Sequence, residues 1–186
     1  MRKIVCQDGW TLVELLIAFS IIAILLTVGL PSYSAAARSN CVVTAANTML
    51  SVLTAARSEA LKRDRDVALC KSSDGEQCLA DAGIDWDRGY LMYLDANANH
   101  RRETDETLLK VELPLSTCAA IRGGSGGYGS ELSYDGFGKA SPLGHFMVIA
   151  RSDSHYARRV VVSPSGRPRI CDPALKPGSS GTTCPP

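Results

Sequence analysis

The sequence predicts an α+β fold, in which one long N-terminal helix precedes a domain of antiparallel β-strands. Residues 11–30 form an apolar run in which Glu14 is the only formally charged side chain. Residues 32–63 repeat apolar side chains at helical spacing. From residue 64 onward the chain changes to short β-like runs separated by turn residues. A helical part followed by a run of strands, without alternation between the two, is typical of α+β proteins.

The apolar run is long enough to cross a membrane. Twenty residues of α-helix span about 30 Å, which is the thickness of the hydrocarbon core of a bilayer. Arg2 and Lys3 precede the run, and positive charge on that side keeps this end in the cytoplasm. We therefore predict a transmembrane helix over residues 10–31, with the rest of the chain exported.

Two cleavage sites are compatible with this segment. A secretory signal peptide would be cut after the apolar run, and residues 34–37 offer the small side chains that such a site needs. Glu14 favours a cut before the run, because a carboxylate at the centre of a transmembrane helix costs roughly 2.5–3.5 kcal/mol. A cut after Gly9 would place the new α-amino group of Trp10 one helical turn from Glu14, so that neighbouring helices could neutralise each other's charges. The sequence therefore predicts a cleaved leader over residues 1–9.

The G-W-T-L-V-E segment of residues 9–14 resembles the class III signal of type IV pilins and pseudopilins, usually G-F-T-L-x-E. Trp10 stands where that family usually has phenylalanine. The resemblance implies that a prepilin peptidase cuts after Gly9 and N-methylates Trp10, and that Glu14 guides the subunit into a filament of other pilins. It also implies the type IV pilin-like fold, with a long helix packed on an antiparallel sheet.

Proline and periodicity divide the rest of the chain. Pro31 is expected to end or kink the apolar helix, because it lacks the backbone N–H. An amphipathic helix then covers residues 32–63, with these apolar positions at helical spacing: Val42, Ala46, Met49, Leu50, Leu53, Ala56 and Ala60. In a β-rich domain over residues 64–186 we predict a flexible glycine-rich loop at 123–127, a loose tail from residue 173, and strands near 67–70, 89–95, 107–113, 131–134, 145–151, 156–163 and 167–171.

The chain has seven cysteines. Removal of the leader removes Cys6 and leaves an even six, which in an exported domain indicates disulfides. The six cysteines allow several pairings. Local spacing favours Cys70–Cys78 and Cys171–Cys184, which leaves Cys41–Cys118. A thiolate metal site is not expected, because the sequence has no C-x-x-C pair.

Residues 86–99, W-D-R-G-Y-L-M-Y-L-D-A-N-A-N, are similar to a W-x-x-G-W-hydrophobic-x-D-x-N segment of the FimT/GspH minor pilins. In that family the segment forms a hairpin after the first disulfide. Cys70 and Cys78 lie where that disulfide would be. The resemblance therefore extends from the leader through the helix into the early sheet.

Metal binding and catalysis find little support. The D-A-N-A-N segment from Asp95, with Glu106 in twelfth position, follows the register of a calcium loop. His100 stands where such a loop needs glycine, and Arg101 and Arg102 add positive charge, so a polar hairpin tip is the better interpretation. His100, His145 and His155 lack metal-ligand spacing, and the sequence has no P-loop, dinucleotide fingerprint or G-x-S-x-G elbow. We expect neither an enzyme nor a cofactor.

Charge is distributed unevenly along the exported part. Residues 64–135 carry seven basic and fourteen acidic side chains, whereas residues 137–186 carry seven basic and two acidic ones. Such asymmetry predicts a polyanionic partner for the C-terminal region.

The most informative stretch of that region is S-P-S-G-R-P-R-I-C, residues 163–171. Gly166 can adopt a positive φ in a turn. Pro168 favours extended backbone, which should place Arg167 and Arg169 on one face, about 6.6 Å apart. Two guanidinium groups at that spacing suit two phosphates of one strand. The alternative is that the two arginines are solvated on an edge strand, where their charge protects the strand from aggregation.

The G-R-P-R segment matches the G-R-x-R motif of FimT-type pilins, which bind DNA during natural transformation. The resemblance implies DNA binding without sequence specificity through Arg167 and Arg169, with Gly166 shaping the turn. Five further basic residues are candidates to widen this patch: Lys139, Arg151, Arg158, Arg159 and Lys176.

The sequence therefore predicts a minor type IV pilin that begins in the inner membrane, enters a cell-surface pilus and binds extracellular DNA. The main alternative is a minor pilin or a GspH-like pseudopilin of type II secretion that primes filament assembly without binding DNA. A periplasmic enzyme on a membrane anchor would need a polar catalytic cluster, which the sequence does not show.

Overall fold

The computed structural model describes residues 11–79, 85–124 and 128–171. Its first element is helix α1, Leu12–Arg63. The helix does not end at Pro31, in contrast to one of the two outcomes expected there. A proline inside a helix removes a single backbone hydrogen bond, and the turns on either side retain theirs.

Two compact units divide the chain, Met1–Ala37 and Arg38–Pro186. In the first unit, the side chains of residues 12–17 are all exposed although most are apolar. By length and composition, α1 is the one helix of the described residues that could cross a membrane.

A capping box begins helix α1. The Glu14 carboxylate accepts hydrogen bonds from the Thr11 backbone N–H at 2.9 Å and from its hydroxyl at 3.0 Å. The Thr11 hydroxyl oxygen in turn accepts the Glu14 backbone N–H at 3.3 Å. This reciprocal pairing occupies backbone donors that the first helical turn leaves without partners. The threonine and glutamate of the N-terminal motif therefore also define where the helix starts.

In the second unit, α1 contributes one face to the core. Six of the seven apolar positions predicted for this face are buried, and Leu50 is partly buried against the same cluster. Arg57, on the flank of that face, is partly buried and bonds to loops of the domain.

Nine strands follow the helix within the described residues, and each of the seven predicted strands is among them. Two were not predicted: one ends at Gly123, the first residue of the predicted glycine-rich loop, and the other has two residues. In chain order the strands are β1 (Val67–Lys71), β2 (Tyr90–Leu94), β3 (Leu108–Glu112), β4 (Ala119–Gly123), β5 (Glu131–Tyr134), β6 (Ala140–Ser141), β7 (His145–Ala150), β8 (Asp153–Val162) and β9 (Pro168–Cys171).

The strands form two antiparallel sheets, ordered β3-β2-β1-β5-β6 and β4-β7-β8-β9. One hydrophobic cluster combines α1 with side chains from both sheets. Phe146 of the second sheet stacks on Tyr128 with ring centroids 4.6 Å apart, and meets Trp86 edge to face at 5.3 Å. The predicted α+β fold, a long N-terminal helix packed on antiparallel sheet, is confirmed.

Candidate nucleic-acid interface

The turn between β8 and β9 contains the predicted G-R-x-R motif. Gly166 has φ +76°, and its N–H donates to the Ser163 carbonyl at 2.8 Å. The Ser163 N–H donates to the Arg167 carbonyl at 3.0 Å, and the Ser163 hydroxyl accepts the Arg167 N–H at 3.1 Å. This is a tight turn that ends in a left-handed glycine, a common hairpin geometry. It holds the backbone of Arg167 by bonds at both its N–H and its carbonyl.

Arg167 and Arg169 are both exposed, whereas Pro168 and Ile170 beside them are partly buried. Alternating exposure places the two arginines on the same side of an extended segment. Arg169 pairs with Val161 of β8, and Val161 pairs with His145 of β7. Arg169 therefore lies on the outer face of the second sheet, opposite to the buried side chains of Phe146 and Val160.

Register adds two more arginines to this outer face. Arg159 pairs with Met147 of β7, and Arg122 of β4 pairs with the same methionine. Directly paired residues share a face, so Arg122, Arg159 and Arg169 all lie on one side of the sheet. The Arg159 Nε donates to the Met147 Sδ at 3.4 Å. Arg122 was not a candidate from the sequence, because its strand was not predicted.

His145 adds no charge to this face at neutral pH. Burial, and then the positive charge of Arg159, lower the pKa of His145 below its ordinary value. At neutral pH the imidazole of His145 is therefore mainly neutral, whereas the guanidinium of Arg159 is charged.

Of two further candidates, Arg158 does not lie on the outer face and Arg151 is paired with a carboxylate. Arg158 pairs with Val148, which is fully buried, and so points to the core side of β8, where its Nη1 donates to the Ala157 carbonyl. Arg151 forms an ion pair with Asp87. Sequence reasoning could not separate Arg158 from Arg159, because which of two neighbours faces outward depends on register.

Lys139 lies on a different turn, and Lys176 lies outside the described residues. Lys139 is exposed at the end of the β5–β6 turn. That turn touches the β8–β9 turn, since a Cβ added to Gly166 would lie 1.8 Å from the Gly138 carbonyl oxygen. Lys139 and Arg167 thus each directly follow one of the two glycines whose turns touch.

Asp87 stabilises β4, the edge strand of the second sheet on the side opposite to β9. It is 1% exposed, and its Oδ1 accepts the Ile121 N–H of β4 at 3.1 Å. Its backbone carbonyl accepts the N–H groups of Leu115 and Ser116 at 3.0 and 3.2 Å. Arg151, a candidate from the sequence, therefore has a structural partner.

Asp87→Ala is expected to lower the free energy of unfolding by about 1–3 kcal/mol, because the buried Ile121 N–H would lose its acceptor. Thermal unfolding of the full chain in a nonionic detergent measures this loss. Asp153→Ala is the control: Asp153 pairs with Arg38 at 3.7 Å on the surface, where an ion pair contributes less than about 1 kcal/mol. Equal losses in the two variants would contradict the role assigned to Asp87.

Two disulfides brace the domain. Cys41–Cys118 joins α1 to the segment before β4, and Cys70–Cys78 joins β1 to the loop that follows it. Cys70–Cys78 is a pair that local spacing favours, and Cys41–Cys118 is the pair that the spacing argument left over. Cys171 is also disulfide-bonded, and Cys184, its expected partner, lies outside the described residues.

The polar loop after β2 uses its carboxylates internally. Asp95 is buried and accepts the N–H groups of Asn99 at 3.1 Å and His100 at 2.8 Å. Glu106 accepts the N–H groups of Ala96 and Glu103. His100 has φ +60°, the conformation for which a calcium loop uses glycine. Within residues 11–79, 85–124 and 128–171, no group of three or more His, Cys, Asp or Glu side chains could hold a metal ion.

The apolar N-terminal helix begins with a threonine–glutamate capping box, and a domain of two antiparallel sheets packs on its later turns. These features together define a type IV pilin-like protein. Gly9 and Trp10, the residues of the expected cleavage site, lie outside the described residues.

Comparison with known proteins gives the family. The model for type II transport protein GspH matches residues 45–166, and the model for the prokaryotic N-terminal methylation motif matches residues 6–30. The chain therefore belongs to the GspH family of pilin-like proteins. Membership implies processing at the N-terminal motif, membrane anchoring by the apolar helix and assembly with other pilins.

Similar proteins agree with this assignment. Pilin-like protein PilA1 of Thermus thermophilus is 30% identical over 168 residues, which cover 88% of this chain and 98% of that protein. Two crystal structures of the type IV minor pilin FimU of Pseudomonas aeruginosa have TM-scores of 0.52 and 0.56 at 18% identity. They cover 69% and 72% of this chain and 90% of FimU in each case. At that identity the likeness to FimU shows the fold alone.

Proposed function

We propose that this protein is a minor type IV pilin that binds extracellular DNA without sequence specificity and serves DNA uptake in natural transformation. The observation that carries the proposal is the pair of exposed arginines, Arg167 and Arg169, on a backbone that the Gly166 turn holds in place. Arg159 adds positive charge on the same sheet face, whereas Arg122 on that face forms an ion pair with Asp85 at 3.2 Å. Guanidinium groups on a firm backbone suit phosphates, and phosphate contacts carry no base information.

The N-terminal region has a separate part in the proposal. A prepilin peptidase removes residues 1–9 after Gly9 and methylates Trp10. Residues 10–31 hold the subunit as a single span in the inner membrane and then pack into the filament core, where Glu14 pairs with the amine of a neighbouring subunit. Residues 32–63 join this helix to the β-rich domain of residues 64–186, which is displayed on the pilus surface.

The Arg167→Ala/Arg169→Ala variant is expected to lose most of its DNA binding. Full-length protein in a nonionic detergent is titrated with labelled duplexes of unrelated sequence at several salt concentrations. Wild type is expected to bind all duplexes alike and more weakly as salt rises. Each lost phosphate contact flattens the slope of log affinity against log salt by about 0.9, so the double variant should lose up to about twice that amount.

Arg88→Ala/Arg101→Ala is the matched control, because it removes the same charge from two exposed arginines on other elements. It is expected to bind nearly as wild type does. If the two double variants weaken binding equally, DNA attraction reflects net charge and the proposed site is wrong. If wild type binds neither duplex nor single-stranded DNA at low salt, DNA binding by this chain is refuted.

A second candidate function is assembly priming as a minor pilin or type II secretion pseudopilin that does not bind DNA. The match to the type II transport protein GspH over residues 45–166 favours it. It shares the N-terminal region, the helix and both sheets with the first candidate, so the β8–β9 turn discriminates between them. Under this second function, the Arg167→Ala/Arg169→Ala variant would assemble filaments normally and no DNA phenotype would follow.

A further inference from the structure

Two hairpin turns of this domain have the same construction. In the β5–β6 turn, Gly138 has φ +75°, and its N–H donates to the Asp135 carbonyl at 2.8 Å. In the β8–β9 turn, Gly166 has φ +76°, and its N–H donates to the Ser163 carbonyl, also at 2.8 Å. Each turn therefore ends in a left-handed glycine three residues after the residue that opens it.

The side chain that opens each turn also fixes the residue after the glycine. The Asp135 carboxylate accepts the Lys139 N–H at 2.8 Å, and the Ser163 hydroxyl accepts the Arg167 N–H at 3.1 Å. Lys139 and Arg167 therefore occupy equivalent positions, and both are exposed cations. The Gly-Arg pair of the β8–β9 turn has a Gly-Lys counterpart in the β5–β6 turn.

The two turns pack on each other through their glycines. Gly166 lies so close to the Gly138 carbonyl that an added Cβ would come within 1.8 Å of its oxygen. Arg57 of α1 bridges the pair, since its Nε donates to the Gly138 carbonyl at 2.9 Å and its Nη2 donates to the Ser165 carbonyl at 3.2 Å. The two turns thus present a single continuous edge, with Arg57 beneath it as a positioning residue.

Phe137 is the residue on this edge that the proposed phosphate contacts do not use. Its side chain is 80% exposed, more than any other large apolar side chain among the described residues. It directly precedes Gly138, and its N–H donates to the Asp135 carboxylate at 3.0 Å. The phenyl ring of Phe137 is thus exposed to solvent on a hydrogen-bonded turn, near the cationic residues Lys139 and Arg167.

We propose that Phe137 is a stacking platform for an unpaired base, and that the two turns together favour DNA with single-stranded segments or open ends. This inference rests on the proposed DNA binding and names the form of DNA that the site prefers. Proteins that hold single strands combine cations along the backbone with aromatic rings on which bases stack. In a closed duplex each base is already stacked on its neighbours, so the ring of Phe137 gains no partner there.

Negative charge limits the other flank of the β5–β6 turn. A Cβ added to Gly136 would lie 2.8 Å from an Asp64 carboxylate oxygen, and the Asp135 carboxylate closes the turn itself. The cationic part of the edge is therefore the Gly138–Gly166 side, and Lys139, which lies near Asp135, attracts phosphate less than Arg167 does.

The test compares three labelled probes of equal length on full-length protein in a nonionic detergent. The first is a single-stranded oligothymidine, the second is the same backbone with abasic sites in place of the bases, and the third is a duplex whose ends are closed by non-nucleotide linkers. Wild type is expected to bind oligothymidine most tightly. Phe137→Ala is expected to weaken oligothymidine binding about 5- to 100-fold and to change the other two probes by less than about twofold.

Two variants serve as controls for the aromatic ring. Phe137→Trp keeps a stacking surface and is expected to retain the preference for oligothymidine. Leu143→Ala removes another exposed apolar side chain, in the connection from β6 to β7, and is expected to bind all probes as wild type does. Because Phe137 is exposed, its replacement is not expected to disturb folding.

The outcomes separate this inference from the proposal beneath it. If Arg167→Ala/Arg169→Ala loses all three probes while Phe137→Ala binds them as wild type does, DNA binding stands and the stacking role is overturned. If Phe137→Ala weakens the abasic and closed-duplex probes as much as oligothymidine, the ring does not act on bases and the inference is again overturned. If wild type binds no probe, both proposals fail.

Discussion

Gly166→Ala is expected to lower the free energy of unfolding by about 2–5 kcal/mol and to abolish DNA binding, although both arginines of the motif remain. An L-residue in the left-handed region costs about 1–2 kcal/mol. A methyl group would also meet the Gly138 carbonyl oxygen at 1.8 Å. Forcing extra atoms into a packed site costs about 1–3 kcal/mol more. Neither turn can yield easily, because Arg57 holds both carbonyls.

Thermal unfolding and DNA titration of the full chain in detergent measure the two effects. Gly129→Ala is the matched control: an added Cβ there meets nothing within 4 Å, so its stability should change by less than about 0.5 kcal/mol. A Gly166→Ala variant as stable as Gly129→Ala would show that the two turns do not touch as described. A variant that is destabilised but binds DNA fully would show that the turn does not position the arginines.

Loss of the Cys41–Cys118 disulfide is expected to have an effect of similar size on stability. Its cysteines are 77 residues apart in sequence, against 8 for Cys70–Cys78. A cross-link stabilises mainly by restricting the unfolded chain, and the effect grows with the length of the closed loop. The Cys41→Ala/Cys118→Ala variant should lose about 4.5 kcal/mol, whereas Cys70→Ala/Cys78→Ala should lose about 2.5 kcal/mol on the same relation.

The fluorescence of Trp86, which is 1% exposed, reports unfolding of this core in both variants. Alanine is used at all four positions so that no new hydroxyl group is buried at Cys70. The shorter disulfide is the control for loop length. If its removal destabilises the protein as much as removal of Cys41–Cys118, restriction of the unfolded chain is not what the long cross-link contributes.

Much of the fold could be predicted because its signals are local. A run of apolar residues and a helical repeat each lie within a few turns of chain. Most strands were also predicted, since alternating or β-branched runs between turn residues are read over a few residues. The two exceptions were β4, which ends at Gly123 and is held by pairing with β7, and β6, which is too short to show a pattern.

The candidate site was predictable in part for the same reason. Gly166 and Pro168 restrict their own backbone, so a turn followed by an extended arginine pair could be inferred from the residues themselves. Arg122 could not be found, because its place beside Arg159 depends on two strand registers. Arg151 could not be excluded, because its partner Asp87 lies 64 residues away along the chain.

The sequence by itself determined the N-terminal motif, the apolar helix and the class of fold, along with the residues that make the β8–β9 turn. These follow from backbone preferences and short-range periodicity, which act between residues close together in the chain. Only the tertiary structure decided which arginines share a face, and that the Gly138 and Gly166 turns form one edge beside Phe137. Those facts depend on register and on packing between distant segments, because a strand shifted by one residue would turn every one of its side chains to the opposite face.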